Sequence, residues 1–264
     1  MPLTTDEKLL TLSRDILEGF DKADGGIHPG FRPAHAKGIL LTGVFTPSSK
    51  AASLTRAPHI QRNSTPVTVR FSDFAGIPTV PDNDPQGASP RGCAIRFHLA
   101  EHIHTDIVAH SVDTFPARTA EGLLEFLNAL IAADPAGPHP NAIEQFLGAH
   151  PAALTFVQTP KPIPTSFAKE SFFAVSAFKF TNVDGVSRYG RYRMLPVAGN
   201  EYLDEVAAAA QGPDFLFDEI KERVAKEPVR FGSRCSWLMT ATPPMTPLSV
   251  GRRIDICLPL AKSV

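Results

Sequence analysis

The feature that most constrains the fold is a series of strand-like segments that follow one another without helices between them. Apolar and polar residues alternate over residues 66–74, 93–99 and 104–112, and residues 35–46 are also strand-like. Helical spacing of apolar residues appears before this series, from Leu9 to Phe20, and again after it, over 119–133. Because strands and helices do not alternate singly, a parallel doubly wound sheet is disfavoured, and the pattern predicts an antiparallel sheet or barrel.

The rest of the chain extends this pattern. Further strands are predicted at 171–180, 187–195 and 228–241, and helices at 141–149, 201–210 and 214–226. The residues Thr4, Thr5, Asp6 and Glu7 form a good helix start near the N-terminus. The 25 prolines among 264 residues exclude long uninterrupted helices over most of the chain. We predict an α+β fold, with helices packed outside an antiparallel barrel, in one domain spanning residues 1–264.

Composition excludes several classes of function. The formal net charge of −1 provides no basic excess for a phosphate backbone, so we expect no nucleic-acid partner. No window of 18 apolar residues spans a membrane, and the N-terminus does not resemble a secretory signal. Three widely separated cysteines favour a reducing compartment, and we predict a cytoplasmic protein. The excess of 18 Phe over 3 Tyr and 1 Trp suits a dry core or an apolar cofactor pocket.

Common phosphate-binding, dinucleotide-binding, serine-hydrolase and zincin motifs are absent from the sequence. One positive signal is a histidine group, His102, His104 and His110, accompanied by Glu101 and Asp106. His102 and His104 would share one face of a strand, which makes a non-haem metal site one alternative. The other alternative is a polar turn followed by a strand.

Three short motifs in order carry a more specific signal. They are R-P-A-H-A-K-G at 32–38, V-R-F-S at 69–72, and P-R-G-x-A-x-R-F at 90–97. Together they resemble the haem catalases, and the shorter catalase-related peroxidases more than the full catalases. The resemblance covers roughly residues 5–243 and implies an antiparallel β-barrel of the catalase type.

The resemblance also implies a role for individual residues. His35 matches the histidine that acts as acid and base above the haem, and Ser72 the serine that fixes its tautomer. His110 falls in the stretch that carries an asparagine in catalases. The cofactor-binding residues that it implies are Arg32 and Arg70 at the haem propionates, Ala34 beside the channel, and Phe115 beside the haem. We interpret Arg91 and Arg96 as surface or sheet-edge charges.

These matches imply a haem b peroxidase that reduces hydrogen peroxide or organic hydroperoxides with a small organic reductant. Splitting an O–O bond needs a group that takes a proton and returns it, as a histidine with a fixed tautomer does. Because His110 is a weaker, titratable donor in place of an asparagine, we expect weak or no catalase activity. A lipid hydroperoxide substrate is not excluded.

The iron ligand of the family is a tyrosinate in an R-x-x-x-Y motif near the C-terminus. This chain has only Tyr189, Tyr192 and Tyr202. Arg188 and Tyr192 have the right spacing, but they lie in a strand-like segment. Tyr192 is therefore only a weak candidate, and the expected ligand is not found.

Residues 244–264 depart from the family pattern. One codon choice for residues 244–256 can be read in a shifted frame as D-D-P-A-V-G-W-P-P-D-R-H, which is the motif that the family has there. The hypothesis is a frameshifted gene. With the tail as given, we expect exposed apolar surface and a homo-oligomer. A haem-poor, inactive barrel that binds an apolar ligand is the alternative to the peroxidase.

Overall fold

A computed structural model describes residues 4–237 and 260–263. These residues form nine strands and six α-helices. The strands are β1 (Gly38–Phe45), β2 (Thr65–Ser72), β3 (Gly92–Ala100), β4 (Ile103–His110), β5 (Phe172–Phe173), β6 (Phe178–Thr181), β7 (Ser187–Pro196), β8 (Phe231–Trp237) and β9 (Leu260–Ser263). The helices are α1 (Glu7–Ala23), α2 (Ala120–Ile131), α3 (Ala142–Ala149), α4 (Pro151–Gln158), α5 (Glu205–Ala209) and α6 (Phe215–Lys226).

Every strand pair in the sheet is antiparallel, so the predicted α+β class is confirmed. The order is β6-β7-β5-β4-β3-β2-β1-β9, and β8 pairs with β7. The prediction of a barrel needs one correction, because the sheet is not closed within the described ranges. β4 and β5 meet at one residue pair only, His110 with Phe173, since β5 is two residues long.

The alternation of residues along β1 to β4 separates a buried face from an outer face. Leu41, Val69 and Ile95 lie side by side in the register and are almost fully buried. The core continues through phenylalanine rings, and Phe71 stacks on Phe167 with 5.3 Å between the ring centroids. Burial of each such ring stabilises the fold by about 2–3 kcal/mol.

The outer face of the same strands has a different character. Arg70 and Ser72 on β2 alternate with the core residues Val69 and Phe71, so they lie on the opposite side of the sheet. The register continues this face through Ala94 and Val108, and the Val108 side chain is 70% exposed. The predicted strand pattern therefore places an apolar outer surface beside Arg70.

The predicted helices form near the predicted positions, because their caps are encoded locally. Asp6 Oδ1 accepts hydrogen bonds from Lys8 N and Leu9 N at the start of α1. Asn141 and Glu144 form a complete capping box at α3. α4 was not predicted, although Pro151 occupies its first turn, where proline is favoured.

Two predicted elements are shorter than expected. Residues 201–204 do not join α5, because Leu203 N donates to Ile163 O and Tyr202 forms a bridge with Pro164. The predicted strand at 171–180 is two strands, β5 and β6. The predicted strand at 228–241 begins as β8, and its last residues, like the shifted-frame segment at 244–256, lie outside the described residues.

No helix in the described part of the chain is long and apolar enough to cross a membrane.

Candidate active site

His35 lies in the loop before β1, with a left-handed backbone conformation (φ 56°). A residue with a Cβ adopts this conformation only when its surroundings hold it there. Backbone hydrogen bonds do so: His35 N donates to Phe74 O at 2.6 Å, and Ala36 N donates to Ala75 O at 3.0 Å. These bonds dock the loop on the segment that follows β2.

The imidazole of His35 has its tautomer set by its neighbours. Nδ1 lies 2.8 Å from Asp73 O and 3.1 Å from Ser72 Oγ. A backbone carbonyl can only accept, so Nδ1 carries the proton and donates it to Asp73 O. Nε2 is then the unprotonated nitrogen, which can accept a proton. This arrangement is the one that a general base requires.

The charge state of His35 follows from its burial. Burial lowers the pKa of the imidazole to about 4, and the positive charges of Arg32 and Arg70 act in the same direction. The hydrogen bond to Asp73 O opposes this shift. At neutral pH the ring is therefore uncharged and its Nε2 lone pair is available.

Gly92 lies directly against the side chains of Ser72 and His35. A Cβ at this position would lie 2.5 Å from Ser72 Oγ and 2.9 Å from His35 Nδ1. Gly92 is the register partner of Ser72 on one side and of His110 on the other. The absence of a side chain at residue 92 lets Ser72 and His35 pack directly on β3.

His110 lies at the end of β4, in the same register row as Ser72 and Gly92. Its Nε2 is buried and has no hydrogen-bond partner among the described residues. Burial lowers the pKa of His110 to about 4, with a smaller contribution from the charge of Lys161. Phe115 meets the His110 ring edge-on, at 6.0 Å between ring centroids. The structure thus brings together His35, Ser72 and His110.

The predicted cofactor residues lie around the same loop. Arg70 Nη2 donates to His35 O at 2.7 Å and to Ala36 O at 3.3 Å. Arg32 is exposed, and its charge lowers the pKa of both His35 and Arg70. Ala34 is half-buried and forms a bridge with Ala75. These contacts place two cationic side chains at the edge of the His35 site.

A buried ionic group behind His35 was missed by the sequence analysis. Arg91, interpreted there as a surface charge, is 1% exposed and ion-paired with Asp73. It also donates to Asp82 O. Lys37 Nζ binds Asp82 Oδ1 at 2.5 Å. Arg91 and Lys37 belong to the P-R-G and H-A-K-G motifs, but burial of a charge depends on partners that the motifs do not show. Arg96, by contrast, is exposed as predicted and pairs with Asp106.

Tyr192 lies on the other side of the sheet from this site. It alternates along β7 with Arg193, and it is buried in the core between Phe178 and Phe180, each 5.3 Å away between ring centroids. Burial raises its pKa, which opposes formation of a tyrosinate. The structure does not bring Tyr192 together with His35.

The other two tyrosines also lie apart. Tyr202 donates its hydroxyl hydrogen bond to Glu170 Oε1 at 3.0 Å. Tyr189 is 47% exposed on β7 and four residues from Arg193, about 13 Å along the strand. Arg193 pairs with Phe173 on β5, and Phe173 pairs with His110 on β4, so these three residues form one row across the sheet. Neither tyrosine is therefore in the row that holds the site.

The three histidines of the metal-site alternative do not converge. His102 is in the turn before β4 with φ 58°, so it does not alternate with His104 as predicted. His110 is six residues beyond His104, about 20 Å along the strand. Within residues 4–237 and 260–263, no group of three or more His, Cys, Asp or Glu side chains could hold a metal ion.

The fold and the site define an α+β protein whose antiparallel sheet supports a half-buried, neutral imidazole with a fixed tautomer. Comparison with known sequences agrees with this class. The family model described as Catalase matches residues 29–239, and the chain belongs to the catalase family.

Individual relatives are similar over most of the chain. A catalase-related peroxidase from Mycolicibacterium paratuberculosis is 35% identical over 216 residues, which are 81% of this chain and 67% of that protein. One from Synechococcus elongatus is 30% identical over 210 residues, 78% of this chain and 61% of that protein. This chain therefore spans about two thirds of the length of these curated relatives.

Solved structures share the fold. The crystal structure of a fungal catalase at 1.9 Å aligns with a TM-score of 0.74 and 18% identity, covering 98% of this chain and 55% of that one. Catalase A from Saccharomyces cerevisiae aligns with a TM-score of 0.72 and 18% identity, covering 99% and 57%. The likeness to catalases extends to the whole sheet and its helices.

Proposed function

We propose that this chain is a haem-dependent peroxidase that reduces hydrogen peroxide or an organic hydroperoxide with a small organic reductant. The observation that carries the proposal is the His35 tautomer, because the bond from Nδ1 to Asp73 O leaves Nε2 able to accept a proton. Family membership and the likeness to catalase-related peroxidases support it. The overall reaction converts a hydroperoxide, two electrons and two protons into an alcohol (or water) and water.

The residues around His35 fit a haem on one side. Arg70 and Arg32 supply cations for two propionates, and Leu40 and Val108 offer an exposed apolar outer face beside Arg70. Burial of a flat apolar ring against such a face is favourable. When bound, the haem supplies the redox chemistry that cleaves the O–O bond. Tyr189 lies on the outer side of β7 but about 13 Å along the strand from Arg193, and Tyr192 faces the core, so the iron ligand is left unassigned.

The chain's own residues perform the proton transfers. Nε2 of His35 takes a proton from the oxygen of the bound peroxide and returns it to the departing oxygen. Ser72 and Asp73 O hold Nδ1, which keeps the ring oriented through both transfers. His110, with its unpartnered Nε2, is the second polar group near the substrate oxygen. Since it is an imidazole and not an amide, we propose weak or no catalase activity.

The test is a haem titration of the purified chain followed by peroxide. We expect a saturable Soret band that shifts on peroxide addition. His35→Asn keeps a residue that tolerates the left-handed conformation, so haem binding should persist while the rate constant for peroxide falls at least 100-fold. His102→Asn, at the other left-handed histidine, is the matched control and should behave as the parent protein. Equal peroxide rates in the parent and His35→Asn would contradict the proposal.

The position of the tyrosines favours a second candidate, a haem-poor, inactive protein of the same fold that binds an apolar ligand on the same outer face. Absence of a saturable Soret band would support it. If a band forms, Tyr192→Phe should leave it unchanged, because Tyr192 faces the core. The reductant and the oligomeric state stay predictions.

A further inference from the structure

Four side chains form what we call the buried charge cluster: Lys37, Asp73, Asp82 and Arg91. Asp73 and Asp82 are fully buried, Arg91 is 1% exposed, and the Lys37 side chain is 11% exposed. Asp82 joins the two halves, because its carboxylate binds Lys37 and its carbonyl accepts from Arg91. A change of charge at one member of a buried pair leaves its partner uncompensated, so the four residues act as one unit.

The buried charge cluster is connected to His35 in two places, through the side chain of His35 and through the backbone that follows it. On one side, Asp73 supplies the carbonyl that accepts from Nδ1 at 2.8 Å, while its carboxylate is held by Arg91. On the other side, Lys37 is two residues after His35, and its carbonyl accepts from Asp73 N at 3.1 Å. A movement of Asp73 would therefore move the acceptor that fixes the His35 tautomer.

The carboxylate of Asp73 is only partly paired within the cluster. Its Oδ2 has no hydrogen-bond partner among the described residues and lies 4.0 Å from Lys37 Nζ. Burial and the neighbouring Asp82 raise the pKa of Asp73 to about 7, against the opposing charges of Arg91 and Lys37. The carboxylate thus gains or loses its proton near neutral pH, where His35 itself stays neutral.

Two further carboxyl groups face the cluster from other elements. Asp214, just before α6, binds Lys37 Nζ at 2.7 Å and is 60% exposed. Glu170 is 3% exposed, and burial raises its pKa to about 7 while the charge of Arg91 lowers it. Among the described residues, neither shares a hydrogen bond with Asp73, and the His35 ring is bonded to Asp73 O and Ser72 Oγ instead.

We propose that Asp73 is a positioning residue for His35, and that the buried charge cluster makes the proton-transfer step depend on pH through the Asp73 carboxyl group. This inference rests on the proposed peroxidase function. Ionised Asp73 pairs with Arg91 and holds its carbonyl on Nδ1. Its negative charge also strengthens His35 as a base. Protonation weakens both effects, so the rate constant for peroxide rises through neutral pH to a plateau.

The first test needs neither haem nor peroxide. NMR of the imidazole nitrogens in ¹⁵N-histidine-labelled protein follows the ring while pH varies from 5.5 to 8.5. The His35 signals are assigned as those that His35→Asn removes. We expect the His35 shifts to change with a midpoint near pH 7 while the ring stays neutral. Shifts that are flat over this range would overturn the proposal.

The second test replaces the carboxylate with an isosteric amide. Asp73→Asn should bind haem as the parent does, lose the rise in rate near neutral pH, and remain about tenfold slower at high pH. Asp84→Asn is the matched control and should keep the parent profile, because Asp84 is in the same loop but its carboxylate accepts from Gln86 N and Gly87 N, outside the buried charge cluster. A rise that persists in Asp73→Asn would overturn the proposal.

The two experiments separate this inference from the function on which it rests. If haem does not bind, the peroxidase proposal fails, but the NMR titration still decides whether Asp73 positions His35. If the variant does not fold, the titration of the parent protein alone gives the answer. If haem and peroxide react while the His35 shifts stay flat, only the positioning role is wrong.

Discussion

At the scale of single residues, the site requires glycine at position 92, where no side chain fits. Gly92 lies between Ser72 and His110 in the register, and its Cα faces the Ser72 hydroxyl and the His35 ring. Its backbone does not need the left-handed region, so conformational freedom is not the reason for glycine here. The reason is the close approach of two side chains that must meet at hydrogen-bond distance.

Gly92→Ala tests this argument. The new Cβ would lie 2.5 Å from Ser72 Oγ, so Ser72 and His35 must move apart. We expect a folded protein that loses about 1–3 kcal/mol of stability from overpacking. The rate constant for peroxide should fall by about tenfold or more, because the His35 ring loses its support. Stopped-flow absorbance measures this rate.

Gly148→Ala on α3 is the control, since a Cβ added at this position would meet nothing within 4 Å. Alanine there should stabilise the helix by about 0.5–1 kcal/mol and leave the rate unchanged. Equal peroxide rates in both alanine variants would show that Gly92 is not needed for the site.

At the scale of elements, α6 is fixed by a cap that comes from a distant loop. Asp214 is at the N-cap position but its side chain caps nothing in the helix. Asp82 Oδ2 accepts from Leu216 N at 2.7 Å instead, while Oδ1 binds Lys37. One carboxylate therefore ties α6 to the loop that holds His35.

We expect Asp82→Ala to cost about 3–5 kcal/mol, because it removes the buried carboxylate that pairs with Lys37 and accepts from Leu216 N at the start of α6. Asp204→Ala is the matched comparison. Asp204 is an ordinary cap that accepts from Ala207 N within α5, and its loss should cost about 1 kcal/mol. Urea unfolding measures both. Equal losses would mean that the tie to Lys37 adds no stability.

At the scale of the whole molecule, stability depends on opposing proton equilibria. His35, His59 and His110 have pKa values lowered to about 4 by burial, so they stabilise the fold above pH 6.5 and lose this as pH falls through 4. Asp73 and Glu170 have pKa values raised to about 7, so their effect has the opposite sign. The net trend is a difference between these contributions.

His59 allows one contribution to be measured alone. It is 5% exposed, stacks on Phe97 at 4.4 Å, and neither ring nitrogen has a partner in the described part of the chain. A leucine cannot be charged, so the stability of His59→Leu relative to the parent should rise by about 3 kcal/mol between pH 7 and pH 4. Denaturant unfolding at several pH values measures the difference. A difference that stays constant between pH 7 and pH 4 would refute the account.

Much of the fold was predictable because its signals are local. The alternation in β1 to β4 requires one buried and one outer face, and caps such as Asn141 mark helix starts within four residues. The same short range explains the errors. α4 begins at Pro151, directly after α3, and the spacing of apolar residues does not show that a second helix starts there. β5 separates from β6 where the chain turns to pair with β7.

The candidate site divides in the same way. By itself the sequence determined the strand pattern and the order of the motifs, and its resemblance to a family named His35, Ser72 and His110 as candidates. Only the tertiary structure decided that Arg91 is buried, that Tyr192 faces the core, and that Asp73 holds the imidazole. The physical reason is that burial and pairing of a charge depend on residues far apart in the chain. Arg91 meets Asp73 across 18 residues, and Asp82 meets Leu216 across 134.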